Sequence, residues 1–105
     1  MLSRTDLDKE IATLESKVKL GRSAELLYAN KDFSLVTDMY LKDYPIEIVN
    51  KLCMHARDSA EYVELVAELD AISRFNLFLK STIKEGQLSE SNLKDAKAIP
   101  ESELY

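Results

Sequence analysis

Ser59 to Glu85 contains neither glycine nor proline and makes up most of the chain's longest stretch free of both. A run of that length with the right periodicity has one good solution, a long helix. Asp58 followed by Glu61 resembles a capping box, with a short acceptor for free amides and an acid three residues on. Glu61, Glu64, Glu68 and Asp70 crowd the first half, and Lys80 and Lys84 lie near the end, the order that suits the helix macrodipole. Gly86 can adopt the left-handed conformation that ends a helix. A helix over 59–85 would be about 40 Å long at 1.5 Å per residue.

Tyr62, Leu65, Leu69, Ile72, Asn76 and Leu79 step by three or four and form one stripe. Phe75 and Phe78 lie off it, and Ala67 and Ala71 extend the second face. A helix that is apolar on two sides is normally buried on two sides. Burying a phenylalanine is worth roughly 1.5–3 kcal/mol, so the spacing predicts a helix at the centre of a bundle or between the bundle and a partner. Asn76, inside the stripe, reads as a satisfied or wet-edge amide, or as a polar residue setting register at a seam.

The rest of the chain is also written in helices. Leu7, Ile11, Leu14 and Val18 step by four, three and four, a narrow heptad-type stripe over two heptads. Gly21 interrupts, and the pattern resumes at Ala24 and Leu27. One helix continuous to Ala29 is preferred, with two short helices as the alternative. A mid-helix glycine costs about 1 kcal/mol relative to alanine, and it reads here as a tolerated weak spot, a hinge or a site of close helix approach.

Asn30-Lys31-Asp32 makes a turn with Asp32 as N-cap. Phe33, Val36, Thr37, Tyr40 and Leu41 then follow a one-sided buried pattern. Tyr44-Pro45 ends that helix, because the residue before proline avoids the α region. Pro45 opens the next helix, with Ile48, Val49, Leu52, Cys53 and Ala56 on its buried face. After Gly86, Ser89 or Ser91 caps a short helix to Ala98, and Pro100 stops it.

The expected fold is therefore all-α. It is a small bundle of about four helices over 5–29, 32–43, 45–57 and 59–85, with a short C-terminal helix and tail. In domain terms, 1–86 is the helical bundle and 87–105 the short helix and acidic tail. Two glycines and two prolines are too few for the turns of an all-β sandwich or barrel.

Chemistry is hard to place on this chain. His55 is the sole histidine and Cys53 the sole cysteine. On a helix over 45–57 they would point about 200° apart and could not face one ligand. No second histidine or cysteine completes a zinc site. Glu61, Glu64 and Glu68 follow a solvent face and lack the Glu-x-x-His pattern of di-iron bundles. Two glycines cannot build a phosphate loop or a nucleophile elbow. The expectation is no enzyme activity, no cofactor, no metal and no small-molecule substrate.

A net charge of −5 argues against a nucleic-acid backbone or an anionic membrane surface as partner. No apolar run reaches the 18 residues of a membrane span. The first residues lack the apolar core of a signal peptide, and the lone cysteine fits a reducing compartment.

One resemblance can be drawn. Glu25-Leu26-Leu27-Tyr28-Ala29-Asn30-Lys31-Asp32-Phe33, then Asp38-Met39-Tyr40-Leu41, and later Leu69-Asp70-Ala71-Ile72-Ser73-Arg74-Phe75, resemble patterns in small helical proteins of tailed bacteriophages. The C-terminal tail lies outside the resemblance, and no functional residue transfers with it. It implies a structural or assembly role, a place in the virion or the host cytoplasm, and protein partners that are copies of the chain or larger virion proteins. The candidate interface residues are Leu7, Ile11, Leu14, Val18, Phe75, Phe78, Leu104 and Tyr105. The competing expectation is a small acidic regulatory protein that inhibits a host protein through Glu61, Glu64 and Glu68.

Overall fold

The computed structural model describes residues 3–104, and among these there is no β-strand. The chain is all-α, but among the described residues its long helices are three continuous ones, not four, followed by a single 3-10 turn at Glu101–Glu103. The first is α1 (Arg4–Ala29). The second joins α2 (Lys31–Asp38) to α3 (Tyr44–Leu52) through a single wide turn at Met39–Asp43. The third is α4 (Ala60–Lys97).

The start of α1 lies at Arg4, where Ser3 Oγ accepts the Asp6 amide at 3.1 Å. Gly21 does not break it. Between α1 and α2 the cap is Asn30 and not Asp32, since Asn30 Oδ1 accepts the Phe33 amide at 2.9 Å. Asp32 instead sits in the first turn, where its charge meets the helix dipole.

Pro45 does not divide the second helix as its sequence position suggests. Proline lacks an N–H, and its ring collides with the carbonyl four residues back in a regular helix. The chain resolves this just upstream by widening one turn. The Tyr44 amide bonds to the Met39 carbonyl, five residues back, a π-type bond. Helical dihedrals continue through Asp43 and Tyr44.

The second helix stops at Leu52, earlier than 57, and 53–59 form a turn segment. Ser59 caps α4, in place of Asp58. Its Oγ accepts the Tyr62 amide at 3.2 Å and donates to the Ala56 carbonyl at 2.6 Å. Gly86 fails to end α4 because it never leaves helical conformation, and no glycine has a positive φ. The short helix expected after it is the last part of α4 itself, which carries Lys94 and Lys97 in its final turn.

The buried side of α4 follows one rule. Tyr62, Leu65, Leu69, Ile72, Asn76, Leu79, Ile83, Gly86, Glu90 and Leu93 alternate steps of three and four, and all are buried or half-buried. The stripe read from 62 to 79 is thus a real seam, and it continues for two more heptads.

Two compact units divide the chain, and the boundary is not at Gly86. One unit comprises 1–26 with 81–105, the other 27–80. In the first unit, α1 and the second half of α4 form a helix pair. Leu7, Leu14 and Ala96 make its core, with Ile11, Leu93, Ile99 and Leu104 packed against them. Arg4 pairs with Glu101, Lys17 with Glu85 at 3.0 Å, and Arg22 with Glu90 at 2.7 Å. Gly21 meets Gly86 at the point of closest approach, where a Cβ on either would lie 2.7 Å from the other's Cα.

The second unit packs the middle helix against the first half of α4. Ile48 is fully buried, joined by Ile72, Leu79 and the Thr37 side chain, whose hydroxyl donates to the Phe33 carbonyl at 2.5 Å. Tyr28 meets Phe33 edge-on, and Ser34 Oγ donates to the Tyr28 carbonyl.

Candidate functional site

The residues expected at an interface have different fates. Leu7, Leu14 and Val18 are buried within the first unit, and Ile11 and Leu104 are half-buried there. Leu7 and Leu14 pack with Ala96, Ile11 and Leu104 pack against that cluster, and Val18 is buried, so these five side chains do not form an open surface. Tyr105 lies outside the described residues. Phe75 and Phe78 remain exposed, at 42% and 60%. Phe75 touches Tyr40, ring centroids 6.3 Å apart and nearly perpendicular.

The middle helix exposes more than its sequence pattern implies. Thr37 is buried and Phe33 and Leu41 are half-buried, but Val36 and Tyr40 face solvent. Ile48 and Leu52 hold the seam while Val49, Cys53 and Ala56 do not. The wide turn shifts helical phase between the two halves, so a fixed period cannot carry the buried face across it. On the outer side, Leu35 and Met39 are exposed before and at the start of the wide turn, and Ile46 and Val49 are exposed after it. Leu35 is 74% exposed and Met39 65%.

On the same helix, Val36, Met39, Tyr40, Asp43, Tyr44 and Glu47 line a shallow cleft of about 310 Å³. Tyr44 stacks on Tyr40 and donates its hydroxyl to Glu68. That hydrogen bond raises the phenol above its ordinary range, helped by lost hydration and by the charges of Glu68 and Glu47. Glu68 is therefore engaged inside the second unit, which removes one member of the acidic cluster expected to face a host protein. Asp43 and Glu47 make no ion pair among the described residues.

The first unit carries the larger opening, a groove of about 540 Å³ between α1 and the end of α4. Val18, Leu26 and Leu93 supply its apolar lining, and Lys19, Arg22, Lys94 and Lys97 its cations. Two of these are neutralised locally, Arg22 by Glu90 at 2.7 Å and Lys97 by Glu15 at 3.6 Å. Lys19 and Lys94 have no ion-pair partner among the described residues. The groove was not legible from sequence, because its lysines and arginine look like any solvated helix face. Only the pairing of α1 with the end of α4 gathers them.

Asn76 lies at a wet edge with Leu41, Pro45, Leu69, Ile72 and Ser73 around a notch of about 210 Å³. Cys53 and His55 are in the turn segment and not on a helix, so the 200° separation expected of them does not apply. Both line a notch with Leu52, Arg57 and Tyr62. Among the described residues no group of three or more His, Cys, Asp or Glu side chains could hold a metal ion. No described helix is long and apolar enough to cross a membrane. No family model, curated protein or solved structure matches the chain, so its surfaces must be read on their own chemistry.

Proposed function

We propose that this chain is a non-enzymatic assembly protein, one that works by binding copies of itself or larger proteins through apolar helix faces. The observation that carries the reading is the balance within 27–80. Its buried large apolar side chains are Ile48, Ile72 and Leu79, while Leu35, Val36, Met39, Ile46, Val49, Val63, Val66, Leu77 and Phe78 stay exposed. A unit of this size has little core of its own, and small units of this kind commonly gain stability by oligomerisation. Each large apolar side chain left in water forgoes roughly 1.5–3 kcal/mol of burial.

The resemblance to small helical phage proteins gives this assembly role a setting: a head or tail component, found in the virion or free in the host cytoplasm. Partners in this reading are proteins, not nucleic acid, membrane or small molecules. A density-gradient separation of the source lysate, with the protein located by mass spectrometry, tests it. Recovery with large particles is expected. Recovery as a free monomer in the soluble fractions alone would remove the assembly role.

A further inference from the structure

We infer that copies of this chain join head to tail, the acidic face of residues 36–47 on one copy seating in the basic-rimmed groove of the first unit on the next. The inference rests on the assembly reading above and names the contact that such assembly uses.

Three features of the two surfaces match. The first is chemistry. Val18 and Leu93 line the groove towards its lysine end and the exposed Leu26 lies at the other, and the helix face offers Val36, Met39 and Tyr40. Leu26 is 72% exposed, a large apolar side chain with nothing over it.

The second is charge. Once Arg22 and Lys97 are matched by Glu90 and Glu15, the groove keeps two cations, Lys19 and Lys94, that make no ion pair among the described residues. The helix face keeps two carboxylates, Asp43 and Glu47, that make no ion pair among the described residues. The chain as a whole is acidic, at −5, so copies repel on average. A local basic rim is where an acidic neighbour can approach, and complementary rims fix register and speed encounter more than they add affinity.

The third is length and order. On α1 the groove is lined from Glu15 to Leu26, and the face runs from Val36 to Glu47. Each covers 11 residue steps, about 16 Å on α1 at 1.5 Å per residue and somewhat less on the face, which contains the widened turn. Apolar anchors at i, i+3 and i+4 with charges further along are how an amphipathic helix recognises a groove. In the groove Lys19, Lys94 and Lys97 lie towards the Glu15 end and Leu26 at the other. On the helix Val36, Met39 and Tyr40 precede Asp43 and Glu47. Seating the acids against the lysines therefore brings the apolar residues to Leu26. The contact uses different patches on the two copies, so it repeats into rings or filaments and does not stop at a two-fold dimer.

Charge exchange tests this. Sedimentation velocity is run over a concentration series on the wild type, on Lys19→Glu/Lys94→Glu, and on Asp43→Lys/Glu47→Lys. Circular dichroism checks that each remains helical. Wild type is expected to form species beyond a dimer. Each double variant alone is expected to lose at least about tenfold in association, through two lost pairs and new repulsion. An equimolar mixture of the two is expected to reassemble, because each altered surface meets its complement and the unaltered pair remains. If a charge reversal disturbs folding, Lys19→Gln/Lys94→Gln gives the milder form and is expected to weaken association less. A wild type that stays monomeric at high concentration overturns the inference, and the gradient experiment still judges the assembly role separately. Variants that associate like wild type, or a mixture that stays apart, overturn the groove contact while leaving assembly through another face intact.

Discussion

Gly21 and Gly86 do at the residue scale what no other residue could do at their positions. A Cβ on Gly21 would stand 2.7 Å from the Gly86 Cα and 3.2 Å from the Thr82 carbonyl oxygen. Both neighbours are backbone, so no side chain can swing away. Gly21→Ala gains about 1 kcal/mol of helix propensity but must push two helices apart, and overpacking of this kind costs about 1–3 kcal/mol. The net expectation is a loss of thermal stability, read as a lowered melting temperature. The exposed Ser23→Ala on the same helix should leave it unchanged or raised. Tyr44 carries a second prediction. Its hydrogen bond to Glu68 and the surrounding carboxylates disfavour the phenolate in the folded chain. A phenol raised in the folded state contributes stability that is full below its unfolded value near 10.0 and is lost as pH rises through the raised value. Ultraviolet phenolate titration should show a component ionising above the ordinary tyrosine value. Glu68→Gln should lower that component, and an unmoved curve would deny the contact.

At the scale of elements, the two caps separate what was legible from what was not. The sequence pattern places a turn at Asn30–Asp32 and a helix start at Asp58–Ser59, and both are there. The capping residue differs because several adjacent polar side chains can serve, and only the backbone path selects one. Asn30→Ala and Ser59→Ala should each cost about 1 kcal/mol in chemical denaturation, whereas Asp58→Ala should stay within about 0.5 kcal/mol. Equal losses at Asp58 and Ser59 would place the cap wrongly. The buried stripe from Tyr62 to Leu79 was readable because side chains on a regular helix keep their phase. Pro45 and Gly86 misled because each has two uses. Proline starts helices but also sits behind a widened turn, and glycine ends helices but also lets two helices touch. Which use applies depends on neighbours distant in sequence, which no local pattern contains. The same reason hid the groove, whose cations lie on α1 and on the end of α4.

At the scale of the whole molecule, the two units differ in how much core they own. The first closes its heptad seam with its own residues, around Leu7, Leu14 and Ala96. The second buries Ile48, Ile72 and Leu79 but leaves apolar side chains along both of its helices in water. Anything that binds the folded state and not the unfolded one adds stability by mass action. If copies of the chain cover those faces, unfolding must depend on protein concentration. The urea midpoint followed by circular dichroism is therefore expected to rise as the protein is concentrated. Two substitutions divide the effect. Leu14→Ala opens a cavity in the first unit and should cost about 2–5 kcal/mol at every concentration. Met39→Lys puts a cation among exposed apolar side chains, where the dilute chain loses little. It should leave the dilute midpoint nearly unchanged and abolish its rise with concentration. A wild-type midpoint that is flat over a hundredfold range of concentration would mean the exposed faces do not meet one another, and their partner would then have to be a different protein.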